Sequence, residues 1–299
     1  HQKAETSQDA SLLDMSVTET PVIEDIDLED AGETHFVPEY ANDIFTYLRS
    51  KEKEDQAPAD YLSHNQYCTE DMRSILISWL MNVQVEFHLL TDTLFLAVSL
   101  VDRYLAKVTN VPKRRLQLVG VTAIFLACKY EETMMPTLDC YVSVAADEYT
   151  ADEILEMENE MLKVLEWNMS VTTAVYFLRR CSKAARSDNR VHTLCKYIVE
   201  LSLPEYSILG FVPSLVASAT VYLARKMLEK QPYWTPTLAH YCGYTEEQLL
   251  PCARNLLRIL RKEAGRYARD PSSCGPATHK FSNPVMFSVA PVALTQVGR

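Results

Sequence analysis

The chain has 299 residues, enough for one large or two ordinary domains, and its 47% hydrophobic and 23% charged residues match a soluble globular composition. Only 7 glycines occur, no two of them close together, where average usage would supply about 21, so the glycine-rich loops that cradle nucleotide phosphates are absent. The net charge of −11 gathers at the start, where residues 1–33 carry ten acids against Lys3; the rest is near neutral and lacks the basic excess with which nucleic-acid binders grip phosphate.

Residues 1–37 are polar, acidic and without period, which predicts a flexible arm. They open with His1 rather than Met, as expected of a fragment whose natural start lies upstream, and they show no basic, apolar leader. From Pro38 the pattern turns helical: proline suits a first helical turn, and Tyr40, Ile44, Tyr47 and Leu48 share one face. The charged run Lys51–Asp55 and a loop around Pro58 follow. Thr69 is placed to cap a helix carrying Met72, Ile75, Leu76, Trp79, Leu80 and Val83, and Thr91 to cap the next. Pro112 opens a strongly apolar helix through Tyr130, whose uncharged stretch Leu116–Cys128 is the length of a buried helix and too short for a bilayer. Thr150 with Glu153, and Thr245 with Gln248, spell capping boxes for two further helices. Helical pattern persists to about residue 263 and no run alternates as a strand would, so the body is read as all-α.

The eight cysteines, at 68, 128, 140, 181, 195, 242, 252 and 274, form no CxxC pair, and three sit inside apolar helical patterns. That predicts reduced intracellular thiols packed as small hydrophobes, with no metal site. His35, His64, His88, His192, His240 and His279 are scattered, and no nucleophile–base arrangement is visible, so neither an intrinsic active site nor a cofactor is expected.

An internal repeat is the most informative feature. Residues 126–129 read LACK and 223–226 LARK; 136–138 and 236–238 both read PTL; EYTADEIL at 148–155 matches GYTEEQLL at 243–250; MLKVL at 161–165 matches LLRIL at 256–260. Four matches in one order, offset by 95 to 100 residues, predict two similar multi-helix units joined near Asn168–Thr172. Lys129 has a counterpart in Lys226, whereas Glu158 falls opposite Ala253, so whatever a Lys129–Glu158 pair does is confined to the first unit. Spacing alone leaves Glu158 either on a solvated helix flank or near the apolar face, where a buried glutamate needs a partner.

MRSILISWL (72–80), LQLVG (116–120), LACKYEE (126–132), MENEMLKVL (157–165), FLRRCSK (177–183) and YWTPTLAHYCGYTEEQLLP (233–251) resemble the cyclins over about residues 38–290. FLRR followed by HTLCKY and TPTLAHY resembles the mitotic B-type class in particular. The resemblance implies an acidic disordered arm (1–37), an N-terminal helix and linker (38–66), five-helix cyclin-fold repeats at 67–168 and 169–265, and a C-terminal extension (266–299). It implies a non-catalytic subunit, found in nucleus and cytoplasm, that binds a mitotic cyclin-dependent kinase and favours its active conformation at the entry to mitosis. In kinases the repositioned helix carries a Glu that pairs with the ATP-binding Lys.

On the same resemblance, kinase contacts fall on Lys129 and Glu158, on the apolar neighbours Tyr130, Leu162 and Trp167, and on Tyr40, Ile44 and Tyr47, with intramolecular core packing the alternative for the last three. Met72, Ile75, Leu76 and Trp79, rimmed by Gln117 and Glu86, match a patch that docks Arg-x-Leu motifs of substrates and inhibitors; the alternative is that Ile75 and Leu76 are simply core. An acid is needed there to read the arginine, and where the family usually has Glu and Asp this chain has Asn82 and Ser78, so weaker or differently selective docking is expected. Arg73 and Asp102 match a buried structural ion pair. Arg179, His192 and Lys196 match a phosphate-binding pocket: His192 and Lys196 share a helical face, and three such donors suit a phosphorylated partner, the alternative being a solvated basic face. Mitotic cyclins usually carry an RxxL destruction signal in the tail; residues 1–48 hold no arginine, and Glu24–Asp30 reads as leftover linker. A cyclin-fold transcription factor, which would need a basic face across both repeats, and a helical scaffold without a kinase are the competing readings; no nucleic-acid or membrane partner is expected.

Overall fold

The computed structural model describes residues 22–33 and 35–298, and among these all regular structure is helical. An N-terminal helix, α1 (Pro38–Asp55), precedes a first unit of α2 (Glu70–Glu86), α3 (Thr91–Lys107), α4 (Leu116–Glu131), α5 (Leu138–Val144) and α6 (Ala151–Val164). The second unit comprises α7 (Ala174–Ala184), α8 (Asn189–Ser202), α9 (Pro213–Met227), α10 (Pro236–Cys242) and α11 (Glu246–Arg269), and α12 (Pro276–Phe281) and α13 (Val289–Val297) follow.

Each unit is built round one apolar helix. In α4 every residue from Leu118 to Cys128 is buried, and α2, α3 and α6 pack on it; α9 holds the same place among α7, α8 and α11. LACK and LARK lie in these two central helices, so the repeat in the sequence is a repeat in the architecture. Gly120 lets α2 approach α4 closely: a Cβ there would stand 2.7 Å from Leu76 Cδ1. Thr69 caps α2, and capping boxes start α6 and α11.

Several local expectations are corrected. Thr91 lies inside α3, because the cap is supplied from another element: the Glu132 carboxylate accepts from Leu90 N (2.7 Å) and Thr93 Oγ1 (2.6 Å). Pro112 opens only a 3-10 turn, Lys113–Arg115, before α4 begins. The run Lys51–Asp55 is the last part of α1, and α11 runs on to Arg269, past the expected end of the second unit at 265. The C-terminal segment reaches both units: α12 packs on α2 and α8, and Lys280 donates to Glu200 Oε2 (2.7 Å) and Gln84 Oε1 (3.1 Å).

The acidic arm is the largest correction. Its residues 1–21 lie outside the described ones, but Glu24–Asp30 is a docked strap rather than a loose linker. Buried Asp27 pairs with buried Arg180 (Oδ2–Nη2 2.6 Å) and with Lys183 (2.9 Å), Asp30 also pairs with Lys183, and Glu24 pairs with Arg186 (2.8 Å). Glu24 N donates to Thr237 Oγ1, and Ile26, itself buried, donates to the Tyr241 hydroxyl.

Three charged residues a turn apart fasten α1 to the second unit. Arg49 donates to the last carbonyls of α10, Tyr241 O and Cys242 O, beside Gly243, which ends that helix at φ 70° where an L side chain is disfavoured. Buried Glu52 accepts from Ser214 N and Oγ (2.7 Å each) and so caps α9, whose own preceding residue, Val212, cannot. Asp55 accepts from Thr172 N just before α7 (3.3 Å).

Arg73 holds the seam between the units. It pairs with Asp102 through Nε (2.6 Å) and Nη2 (2.7 Å) and donates across to Leu203 O (3.0 Å), while Tyr61 hydroxyl donates to Asp102 (2.8 Å). Both ion-pair side chains are buried.

Candidate functional site

Lys129 lies in the last turn of the central helix α4, and Glu158 lies on α6 next to the inward-facing Met157 and Met161. That register brings the Glu158 carboxylate to the apolar edge, where the residue is only 9% exposed, and Lys129 Nζ meets it at 2.6 Å while lying 4.2 Å from the Phe125 ring centre. The solvated-flank alternative for Glu158 therefore fails. Tyr130 beside this pair is exposed, and Leu162, one turn beyond Glu158, is half-buried. After α6, Glu166 and Trp167 both adopt positive φ (55° and 60°) with Trp167 N bonded to Leu162 O. This turn, costly for side-chain-bearing residues, leaves the indole 65% exposed.

Tyr40, Ile44 and Tyr47 are exposed on α1, so core packing does not account for them. A helix pinned by Arg49, Glu52 and Asp55 on one side presents these apolar residues outward on another, an arrangement that leaves large side chains unpartnered within the chain.

The MRSIL face is split. Ile75 is 70% exposed but Leu76 is 6% exposed, being drawn into the gap over Gly120, so Leu76 belongs to the core and Ile75 to the surface. Met72, Trp79 and Gln117 are half-buried around them, and Glu86 and Asn82 are exposed further along α2.

Arg179, His192 and Lys196 do converge. They line one cavity of about 160 Å3 together with Leu90, Thr91, Asp92, Val175 and Leu178. Burial, reinforced by Lys196 and Arg179, holds the His192 imidazole below its usual pKa, and its Nδ1 lies 2.8 Å from Ser182 Oγ. The sequence did not single out Asp92, whose carboxylate takes Arg179 end-on through Nη1 (2.9 Å) and Nη2 (2.5 Å). An acid in the first turn of a helix reads as a response to the helix dipole, and nothing in its own neighbourhood signals a partner 87 positions away.

All eight cysteines are free thiols, and among the described residues no group of three His, Cys, Asp or Glu gathers as a metal site would need. No described helix is long and apolar enough to cross a membrane.

Comparison with known proteins agrees with this architecture. The cyclin N-terminal domain family matches residues 43–170 and the cyclin C-terminal domain family residues 172–290. A G2/mitotic-specific cyclin-B of Dictyostelium discoideum is 44% identical over 283 residues, 94% of this chain and 63% of that protein. One from Arbacia punctulata is 43% identical over 244 residues, 81% of this chain and 59% of that protein. A solved viral cyclin from herpesvirus saimiri superposes with a TM-score of 0.64 at 20% identity, covering 72% of this chain and 96% of its own, a likeness of fold. The chain thus spans 63% and 59% of the length of these two curated relatives. With two cyclin domains in tandem over most of its length and mitotic cyclins as its sequence relatives, the chain belongs to the cyclin family.

Proposed function

We propose that this cyclin is the non-catalytic regulatory subunit of a mitotic cyclin-dependent kinase, which it binds and activates by favouring the active conformation. The observation that carries the reading is the Lys129–Glu158 pair: a buried carboxylate, a half-exposed ammonium and the exposed Tyr130 and Trp167 nearby. Such a pair, set at the edge of an apolar surface, can donate to and accept from the backbone ends of a docked helix while the aromatic rings bury against its side chains. Tyr40, Ile44 and Tyr47 on α1 add a second apolar contact. The reading extends to docking: the Ile75–Trp79 face takes an apolar anchor of an Arg-x-Leu motif, with Glu86 rather than Asn82 left to meet its arginine, and the Arg179–His192–Lys196 cavity takes a phosphorylated Ser or Thr.

The test mixes the purified chain with an inactive mitotic cyclin-dependent kinase and follows phosphorylation of a histone-type substrate. A large gain in activity, lost when Lys129→Ala is combined with Glu158→Ala in a protein that still folds, is the expected result. Absence of binding and activation with such kinases would overturn the reading and leave a likeness of fold without the activity.

A further inference from the structure

The Arg179–His192–Lys196 cavity contains a group that does not belong in a simple anion site. Asp92, 13% exposed at its side chain, holds the 53%-exposed Arg179 end-on with both carboxylate oxygens. Asp92 comes from α3 in the first unit and Arg179 from α7 in the second, so the pair also crosses the seam. Lys196 makes no ion pair among the described residues, and His192 is held toward its neutral form by burial and by the two cations beside it. The resting cavity therefore offers less positive charge than its three basic residues suggest, the more so because Glu131 acts electrostatically on Arg179 and Glu200 on Lys196.

We propose that Asp92 is a resident competitor in this cavity: a carboxylate that an incoming phosphomonoester displaces from Arg179, so that docking of a phosphorylated partner is held weak by this pair and, when it occurs, opens a tie between the two units. The inference rests on the phosphate-docking reading above and adds its coupling to the seam between the units. A Glu or Asp side chain brings one negative charge, the same as Asp92 already supplies, and gains little by exchange. A phosphothreonine brings nearly two charges at neutral pH and three strong acceptors, enough to engage Arg179 and Lys196 together. Asp92 occupies one N–H of each terminal guanidinium nitrogen, so a phosphate that takes Arg179 by the same end must displace it. Capture of the phosphate would also release the Asp92 tie between the two units.

The experiment measures anisotropy of a fluorescein-labelled Gly-Ala-phosphothreonine-Ala-Gly peptide, its Thr→Glu counterpart, and displacement of the former by inorganic phosphate, on the full chain. With Asp92→Asn, which keeps shape but not charge, the phosphopeptide should bind about two- to fivefold more tightly, the range for a partly exposed ion pair. The Glu peptide should gain by no larger a factor, because the cost of displacing Asp92 is common to both ligands; Arg179→Ala should abolish binding of both. Displacement by inorganic phosphate at concentrations near that of the peptide marks recognition of the phosphate group alone, and weak displacement marks a contribution from the peptide; both agree with competition by Asp92. Should Asp92→Asn misfold by circular dichroism, Asp92→Ser, which retains a helix-starting side chain, carries the same expectation. Unchanged or weaker phosphopeptide binding in these variants, with Arg179→Ala still abolishing it, would overturn the competitor role and leave the pocket reading intact. Phosphopeptide binding that survives Arg179→Ala with Lys196→Ala, or that is undetectable in every variant, would overturn both.

Discussion

Replacing Asp27 by Asn should release the acidic strap without unfolding the protein. Asp27 makes two charge-assisted hydrogen bonds to buried Arg180 and one to Lys183. Breaking one half of a buried ion pair costs about 3–5 kcal/mol when the other half stays buried. Here it need not, because the strap that covers Arg180 can lift away and let water in. What holds the strap otherwise is burial of Ile26, about 1.5–3 kcal/mol, and two backbone hydrogen bonds to Thr237 and Tyr241, about 1 kcal/mol each. The partly exposed Glu24–Arg186 and Asp30–Lys183 pairs add less than about 1 kcal/mol each. Against these stands the ordering of the strap's backbone at about 1–2 kcal/mol per residue. The margin without Asp27 is small or negative, so the substitution should lower the free energy of opening the strap by about 2 kcal/mol. That is roughly a thirtyfold loss of amide-exchange protection at Ile26.

The pH dependence has a definite sign. The hydrogen bond from Arg180 holds the Asp27 carboxyl below its ordinary value of 3.8, against the opposing effect of burial. A depressed folded-state pKa contributes stability that is present above the unfolded value and lost as pH falls through the folded one. The protection difference between the native chain and Asp27→Asn should therefore be full above about pH 4 and shrink below it. Hydrogen exchange read by mass spectrometry on the segment 22–33 is the assay. Protection at Ile26 unchanged within twofold in Asp27→Asn would refute the reasoning, as would an equal loss throughout α4 and α9, which would mean global destabilisation instead.

Two further perturbations follow from the packing. Asp102→Asn strips Arg73 of its carboxylate while Leu203 O still holds it in place, and should lower stability by about 3–5 kcal/mol, read as a lower urea midpoint at unchanged slope; an unchanged midpoint would remove Arg73 as the keystone of the seam. Gly120→Ala places a Cβ 2.7 Å from Leu76 Cδ1 and 3.5 Å from the Trp79 ring, so it should cost about 1–3 kcal/mol and weaken binding of an Arg-x-Leu peptide. Phosphothreonine anisotropy, read in the same samples, should not change, since that cavity lies on other helices.

What was legible in the sequence was what is local or repeated. The capping boxes at Thr150 and Thr245 are complete within four residues, and the central helices announce themselves by uninterrupted apolarity and by their matching tetrapeptides. Spacing failed wherever the deciding partner is distant. Ile75 and Leu76 are neighbours on the same apolar face, yet a glycine on another helix draws one inside and leaves the other out. Glu158 could be called buried or solvated until α4 brought Lys129 to it, although the resemblance to cyclins had named the pair. The acidic strap looked like linker because its composition is that of a disordered segment; its partners on α7 lie 153 and 156 positions away. Glu52 likewise sits in a charged run that looks solvated, and is buried because it caps a helix 162 positions on.

The placement of α1 bears on how such a chain would act on a kinase. Arg49, Glu52 and Asp55 bind this helix to α10, α9 and the approach to α7, and Arg180 reaches from beneath the strap to Asn42 (2.9 Å) with its guanidinium 5.3 Å from the Phe45 ring centre. The exposed Tyr40, Ile44 and Tyr47 are thus carried by the second unit, whereas Lys129, Glu158 and Trp167 belong to the first. On the proposed reading, a kinase that contacts both sets reads the relative position of the two units, and a ligand can shift an equilibrium only by its differential affinity for the two states. Much of that affinity would be lost if the units slid past one another, since the two contact sets could not then be engaged at once. The buried Arg73–Asp102 network and the Asp92–Arg179 pair are two of the polar ties that cross the seam between these surfaces, beside Lys280, which bridges Gln84 and Glu200. The first is buried and permanent; the second is partly exposed and faces a cavity, which makes it the tie that a ligand can reach.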